Sequence, residues 1–97
     1  MIAVDPDAVA AAALACDSVT QLSAGSVEEV ATYLPGHRVK GVRVRDDVVE
    51  VHVVAKWGVP LPDVGRQVQA AVGPLSGGRS VLVAIEDVDV PGDERVG

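Results

Sequence analysis

Phenylalanine is absent from this chain, and its 97 residues hold one tyrosine and one tryptophan. A core of stacked rings is thereby excluded, so the interior falls to aliphatic side chains. The single cysteine, Cys16, excludes an intrachain disulfide, and nothing else in the composition points to an oxidising compartment. Positive charge is scarce: 8 Lys and Arg stand against 14 Asp and Glu, a net charge of −6. That balance opposes a general affinity for phosphate backbones or for an anionic membrane surface. No apolar run approaches the roughly 20 residues of a membrane-spanning helix. The opening "MIAVDPDAVAAAALACD" has an alanine run, but Asp5 and Asp7 stand where a signal peptide carries basic residues. These absences predict a soluble, cytoplasmic chain with no anchor of its own.

What is present is mostly valine, stiff at χ1 and suited to the pleated surface of a sheet. "DPDAVAAAALACDSVTQL" predicts a first helix with Asp5 as N-cap and Pro6 at its first position. Val9, Ala13, Leu14, Cys16 and Val19 fall on or near its apolar stripe, and Ile2 and Val4 suggest a short edge strand before it. Ser26 and Glu29 have capping-box spacing, which predicts a short second helix over 27–34 ended by Pro35-Gly36. From Gly41 the period becomes two. "GVRVR", the turn "DD" and "VVEVHVVAKW" read as a hairpin. Val49, Val51, Val53, Ala55 and Trp57 lie on one face; Glu50, His52, Val54 and Lys56 lie on the other. "PLPDVGRQVQAAVGPL" returns to helical spacing through Leu61, Val64, Val68 and Leu75, until Gly73-Pro74. "SVLVAIEDVDV" is the last strand.

The expected fold is α+β in the order helix, short helix, strand, strand, helix, strand. It forms a three-stranded sheet with the helices packed on one face, over a single domain 1–90 with a polar flexible tail at 91–97. The right-handed crossover through the second long helix sets the last strand parallel to the one before it. Its place in the strand order is left open.

Residues 41–72, "GVRVRDDVVEVHVVAKWGVPLPDVGRQVQAAV", resemble the central signature of the alkaline shock protein 23 family of bacterial envelope-stress proteins. The matching residues are Gly41, Val42, Val44, Val49, Val51, Val53, Trp57, Gly58, Val59, Pro62, Val64, Val68, Gln69 and Val72. "SVTQLSAGSVEEVATYL" upstream and "VLVAIEDV" downstream extend the likeness over roughly residues 8–90. The chain departs from the pattern at Gly65, where the family often has Ala, and at Gly73-Pro74, which shortens the helix. The resemblance implies a non-enzymatic protein that gathers at the inner face of the cell membrane through partner proteins. It brings no catalytic residues.

Trp57 invites two readings: an interface anchor, or a cap on the inward face of the sheet. Its phase with Val49, Val51 and Val53 favours the cap. The basic stretch "HRVKGVRVR", 37–45, is either a nucleic-acid or phospholipid strip or a charged strand edge that resists aggregation. The net charge favours the edge, and no two glycines have the G-x-x-G spacing of a KH loop. "EDVDVPGDE" fits no calcium-loop pattern and reads as a solvated acidic end. Cys16, His37 and His52 have no nucleophile or metal partner nearby in sequence, and no metal, phosphate-loop or serine-elbow motif is present. No catalytic, cofactor or metal residues are therefore assigned.

The function expected is a scaffold or interaction protein that assembles with itself or with a membrane-anchored protein partner, without a small-molecule substrate. The interaction residues expected are Arg43, Arg45, His52, Val54 and Lys56. The alternative is a small nucleic-acid-binding module that uses the basic strip 37–45.

Overall fold

The computed structural model describes residues 2–92. Helix α1 spans Pro6–Leu14, followed by strands β1 (Val19–Leu22), β2 (Ala31–Leu34), β3 (His37–Lys40), β4 (Val42–Val44) and β5 (Val48–Lys56). Helix α2 (Leu61–Val72) runs into a 3₁₀ turn over Gly73–Leu75, and β6 (Ser80–Asp89) completes the order. This is an α+β fold with a mixed sheet, as the sequence periodicities predict. Residues 93–97, most of the expected tail, lie outside the described residues.

Strand β5 is the axis of the fold. β6 runs parallel along one of its edges, from Val48↔Ser80 to Lys56↔Asp89, which answers the open question of strand order. The other edge is shared. β4 pairs antiparallel with the first half of β5 (Val42↔Val51, Val44↔Val49), and β1 pairs antiparallel with the second half (Val19↔Ala55, Leu22↔Val53). The sheet therefore has four strands in three rows, not the three strands expected, because Val19–Leu22, expected to be helical, supplies β1. Between β1 and β4 the chain leaves the sheet after Ser23, builds the separate β2–β3 hairpin, and returns at Gly41. His52 of β5 spans the gap: its C=O accepts from Ser23 N–H and its N–H donates to Gly41 O, both at 2.8 Å.

Alternation on β5 sends Val49, Val51, Val53 and Ala55 inward, all fully buried. Val9 and Ala13 of α1, Val64, Val68 and Val72 of α2, and Val42 of β4 complete the same cluster. Short, stiff side chains at helical and strand spacing thus fill a core that has no aromatic member.

The first helix starts as its residues predict: Asp5 Oδ1 accepts from the N–H groups of Asp7 (3.0 Å) and Ala8 (3.4 Å). It ends at Leu14, however, instead of running on to Leu22. Asp17 and Ser18 compete for backbone hydrogen bonds, and the β-branched pair Val19-Thr20 is better placed in a sheet. Leu14 is consequently exposed and Cys16 half-buried. No helix forms over 27–34. Val27, assigned to its apolar face, is 98% exposed. Val30 N–H closes a loop onto Ala24 O at 2.7 Å, and Ala31–Leu34 is a strand. Pro35-Gly36 is the turn of a hairpin, with Gly36 at φ +83° and Leu34 opposite His37. Residues 2–5 form no strand; Arg79 Nη1 donates to Ile2 O at 2.8 Å.

Gly41 occupies a tight point of the backbone, where the chain rejoins the sheet. Its φ is +82°, and a Cβ there would lie 2.9 Å from Leu22 Cβ and about 3 Å from the carbonyl oxygens of His52 and Ser23. Gly41→Ala combines left-handed strain with backbone crowding and is expected to cost about 2–4 kcal/mol. In the core, Val51→Ala removes two buried methyl groups and is expected to cost about 2 kcal/mol. Val27→Ala is expected to stay within about 0.5 kcal/mol of the parent chain. Urea unfolding followed by far-UV circular dichroism measures all three.

Candidate functional surfaces

The outer face of the sheet, opposite the helices, carries the predicted interaction residues Arg43, Arg45 and His52. Each is matched by a carboxylate. Arg45 Nε lies 2.6 Å from Glu50 Oε2, and Arg43 Nη1 lies 3.1 Å from Glu28 Oε1 while Nη2 donates to Glu29 O at 3.0 Å. His52 is held between two acids, with Nδ1 2.5 Å from Glu86 Oε1 and Nε2 3.4 Å from Glu50 Oε1. Its side chain is only 12% exposed, and that of Glu50 16%. The 25–30 segment closes over these groups and leaves a depression of about 180 Å³ beside Arg43, Glu50, His52 and Glu86.

The chemistry of this cluster is that of a clamp. Both imidazole nitrogens face carboxylates, so neither is turned to solvent as a base. Burial works against the Glu50 carboxylate, but hydrogen bonds from Arg45 and His52 and the charges of Arg45 and Arg43 outweigh it. They hold the Glu50 pKa below its ordinary value. Two more residues of the basic stretch are compensated in the same way: His37 pairs with Asp7 at 2.8 Å, and Arg38 pairs with Glu29, while Lys40 is exposed. The hydrogen bond and charge of Asp7 raise the His37 pKa. Compensation at contact distance leaves little field for attracting a phosphate chain.

Val54 and Lys56 do not join this cluster. Val54 is on the expected side of β5 but is 9% exposed, so it offers little contact surface. Lys56 is exposed at the end of the strand, where its N–H donates to Ser18 O at 2.8 Å. Cys16 Sγ lies 3.6 Å from Ala12 O and 3.7 Å from Gln67 O. Burial and the charge of Asp17 raise its pKa, which disfavours the thiolate.

Trp57 departs from the periodicity. The strand ends at Lys56, and Gly58, at φ +89°, turns the chain toward α2. Instead of capping the inward face, the indole is 58% exposed. With Val59, Pro60, Leu61 and Val88 it lines an open apolar depression of about 450 Å³. Alternation could not show this, because the pattern Val49-Val51-Val53-Ala55 runs on into Trp57 after the strand has stopped. The signal that could have shown it was the Gly beside the Trp, followed by Pro60 and Pro62.

The second unassigned surface is the far edge of β6, which pairs with β5 alone among the described strands. Leu82 is exposed there, and the Gln69 side chain of α2 reaches over to donate to Val81 O at 3.2 Å. Among the described residues no helix is long and apolar enough to cross a membrane. Comparison with known proteins finds no matching family model, curated protein or solved structure.

Because its folded pKa is depressed, Glu50 contributes stability above its unfolded pKa of about 4.5 that is lost as pH falls through the folded value. Arg45→Gln is expected to raise the Glu50 pKa and to move acid unfolding to higher pH. Carboxyl-carbon NMR titration and a pH series of unfolding curves check both.

Proposed function

We propose that the chain is a non-enzymatic interaction module, a scaffold of the kind the alkaline shock protein 23 resemblance implies. It acts by self-assembly or partner binding near the inner face of the bacterial membrane. The observation that carries this reading is the apolar corner at Trp57. A small acidic domain places its only tryptophan, with Leu61, Val59 and Val88, in an open depression rather than in its core. Exposed Trp in an apolar patch is characteristic of interface anchors, whose truncation costs 2 kcal/mol or more of binding in roughly the strongest cases. The outer face supports the reading differently: its Arg43, Arg45 and His52 are tied into carboxylates, so they stiffen the surface and leave contact to the apolar groups. Membrane proximity in this reading is supplied by a protein partner.

Multi-angle light scattering over a protein concentration series, at low and moderate salt and with the 260/280 nm absorbance ratio recorded, tests it. Association that grows with concentration, is free of nucleic acid and weakens at least tenfold in Trp57→Ala without loss of fold supports the module. A monomer that carries nucleic acid, released steeply by salt, replaces it with the basic-strip reading.

A further inference from the structure

The free edge of β6 is open over only a short stretch, and the chain itself marks both ends. Ser80 N–H donates to Asp47 O in the ladder with β5. By alternation, the backbone groups of 80, 82 and 84 point to β5, and those of 81, 83 and 85 point away. At one end, Gln69 already occupies Val81 O. At the other, the register steps from Val53↔Ile85 to Val54↔Asp87, so Glu86 is an extra residue in a bulge. Beyond it the alternation is reversed, and Asp89 O turns inward to accept from Trp57 N–H at 3.3 Å. What remains open is the N–H and C=O of Val83 and of Ile85, on either side of Ala84.

We infer that this edge is a self-association surface: two copies of the chain pair β6 against β6, antiparallel, about a two-fold axis at Ala84. This rests on the reading of the chain as an assembly module and names its partner, a second copy. Val83 of each copy lies opposite Ile85 of the other, so four N–H···O=C bonds form and no group held by Gln69 or turned in by the bulge is needed. At the axis the two Ala84 residues form a non-hydrogen-bonded pair, the closest cross-strand position, with Cα atoms roughly 4.5 Å apart. A methyl side chain suits that separation.

Charge selects the direction. Arg79 precedes the strand, held by the carbonyls of Ile2 and Arg45 with no carboxylate partner among the described residues, whereas Glu86, Asp87 and Asp89 lie at the far end. Antiparallel pairing about Ala84 brings the Arg79 end of each copy alongside the acidic end, Glu86 to Asp89, of the other. Parallel pairing would set acids against acids. Exposed Leu82 is covered by the partner strand, and the two sheets become one continuous sheet, an isologous contact closed by its symmetry.

The test uses the full chain with Cys16→Ser as background. Under mild oxidation Ala84→Cys is expected to give a disulfide-linked dimer, because the pair at the axis meets the Cα separation a disulfide needs. Leu82→Cys, opposite the Glu86-Asp87 bulge of the other copy and not opposite itself, is expected to give little. In sedimentation velocity, Leu82→Lys is expected to weaken dimerisation at least tenfold with an unchanged circular dichroism spectrum. Association that persists while Ala84→Cys fails to cross-link, or cross-links no better than Leu82→Cys, overturns the β6 contact and leaves the assembly module standing. A chain that stays monomeric up to millimolar concentration overturns the contact as well, and Trp57→Ala effects on binding to other proteins then decide the module separately.

Discussion

One residue's backbone holds the two halves of the sheet edge together. His52 receives Ser23 as the chain leaves the sheet and is received by Gly41 as it returns. Without this junction, β1 and β4 would be two short strands, of four and three residues, each too brief to hold its own register. With it they act as a single row along β5, and the inward valines of that row face the helices in one register. Only glycine fits at the return point, since its φ is positive and two carbonyl oxygens and Leu22 stand where a side chain would go.

The same residue organises the outer face. The His52 side chain rises from the junction between Glu50 and Glu86, and the arginines on β4 and beyond find the remaining carboxylates. The surface that looks most reactive by residue type is therefore the most internally satisfied. The surfaces left unsatisfied are plain ones: an apolar corner and a stretch of bare strand edge. A site defined by what it lacks in partners is hard to see in a list of residue types.

Much of the architecture was legible from periodicity. The alternating valines of β5, the Asp5-Pro6 helix start, the Pro62-headed second helix and the parallel last strand all follow from local spacing that tertiary structure then respected. The departures in the first half of the chain share one cause. Between Cys16 and Lys40, short segments satisfy helical and strand spacing equally well, and long-range pairing decides between them: Leu22 opposite Val53, and Tyr33 opposite Arg38. Capping-box spacing at Ser26 and Glu29 predicts a helix start, but the residues that follow join a hairpin. Of the candidate site, the basic residues and their outward direction were legible, whereas their carboxylate partners at Glu28 and Glu86 were not, because those partners are distant in sequence. Trp57 continues the alternation of β5 but stands one residue beyond the end of the strand at Lys56.

The departure and return of the chain at one point give the fold a natural place to vary. Ser23 and Gly41 are fixed beside each other by His52, so the sheet senses where the intervening chain begins and ends but not how long it is. Closing a longer loop between fixed ends costs only about 0.6 kcal/mol per doubling of its length. The hairpin over 31–40 is in this sense a cassette set into a strand. Its turn and its outward positions are free to diversify, while Val39, buried in the valine core, ties the hairpin to the rest of the fold.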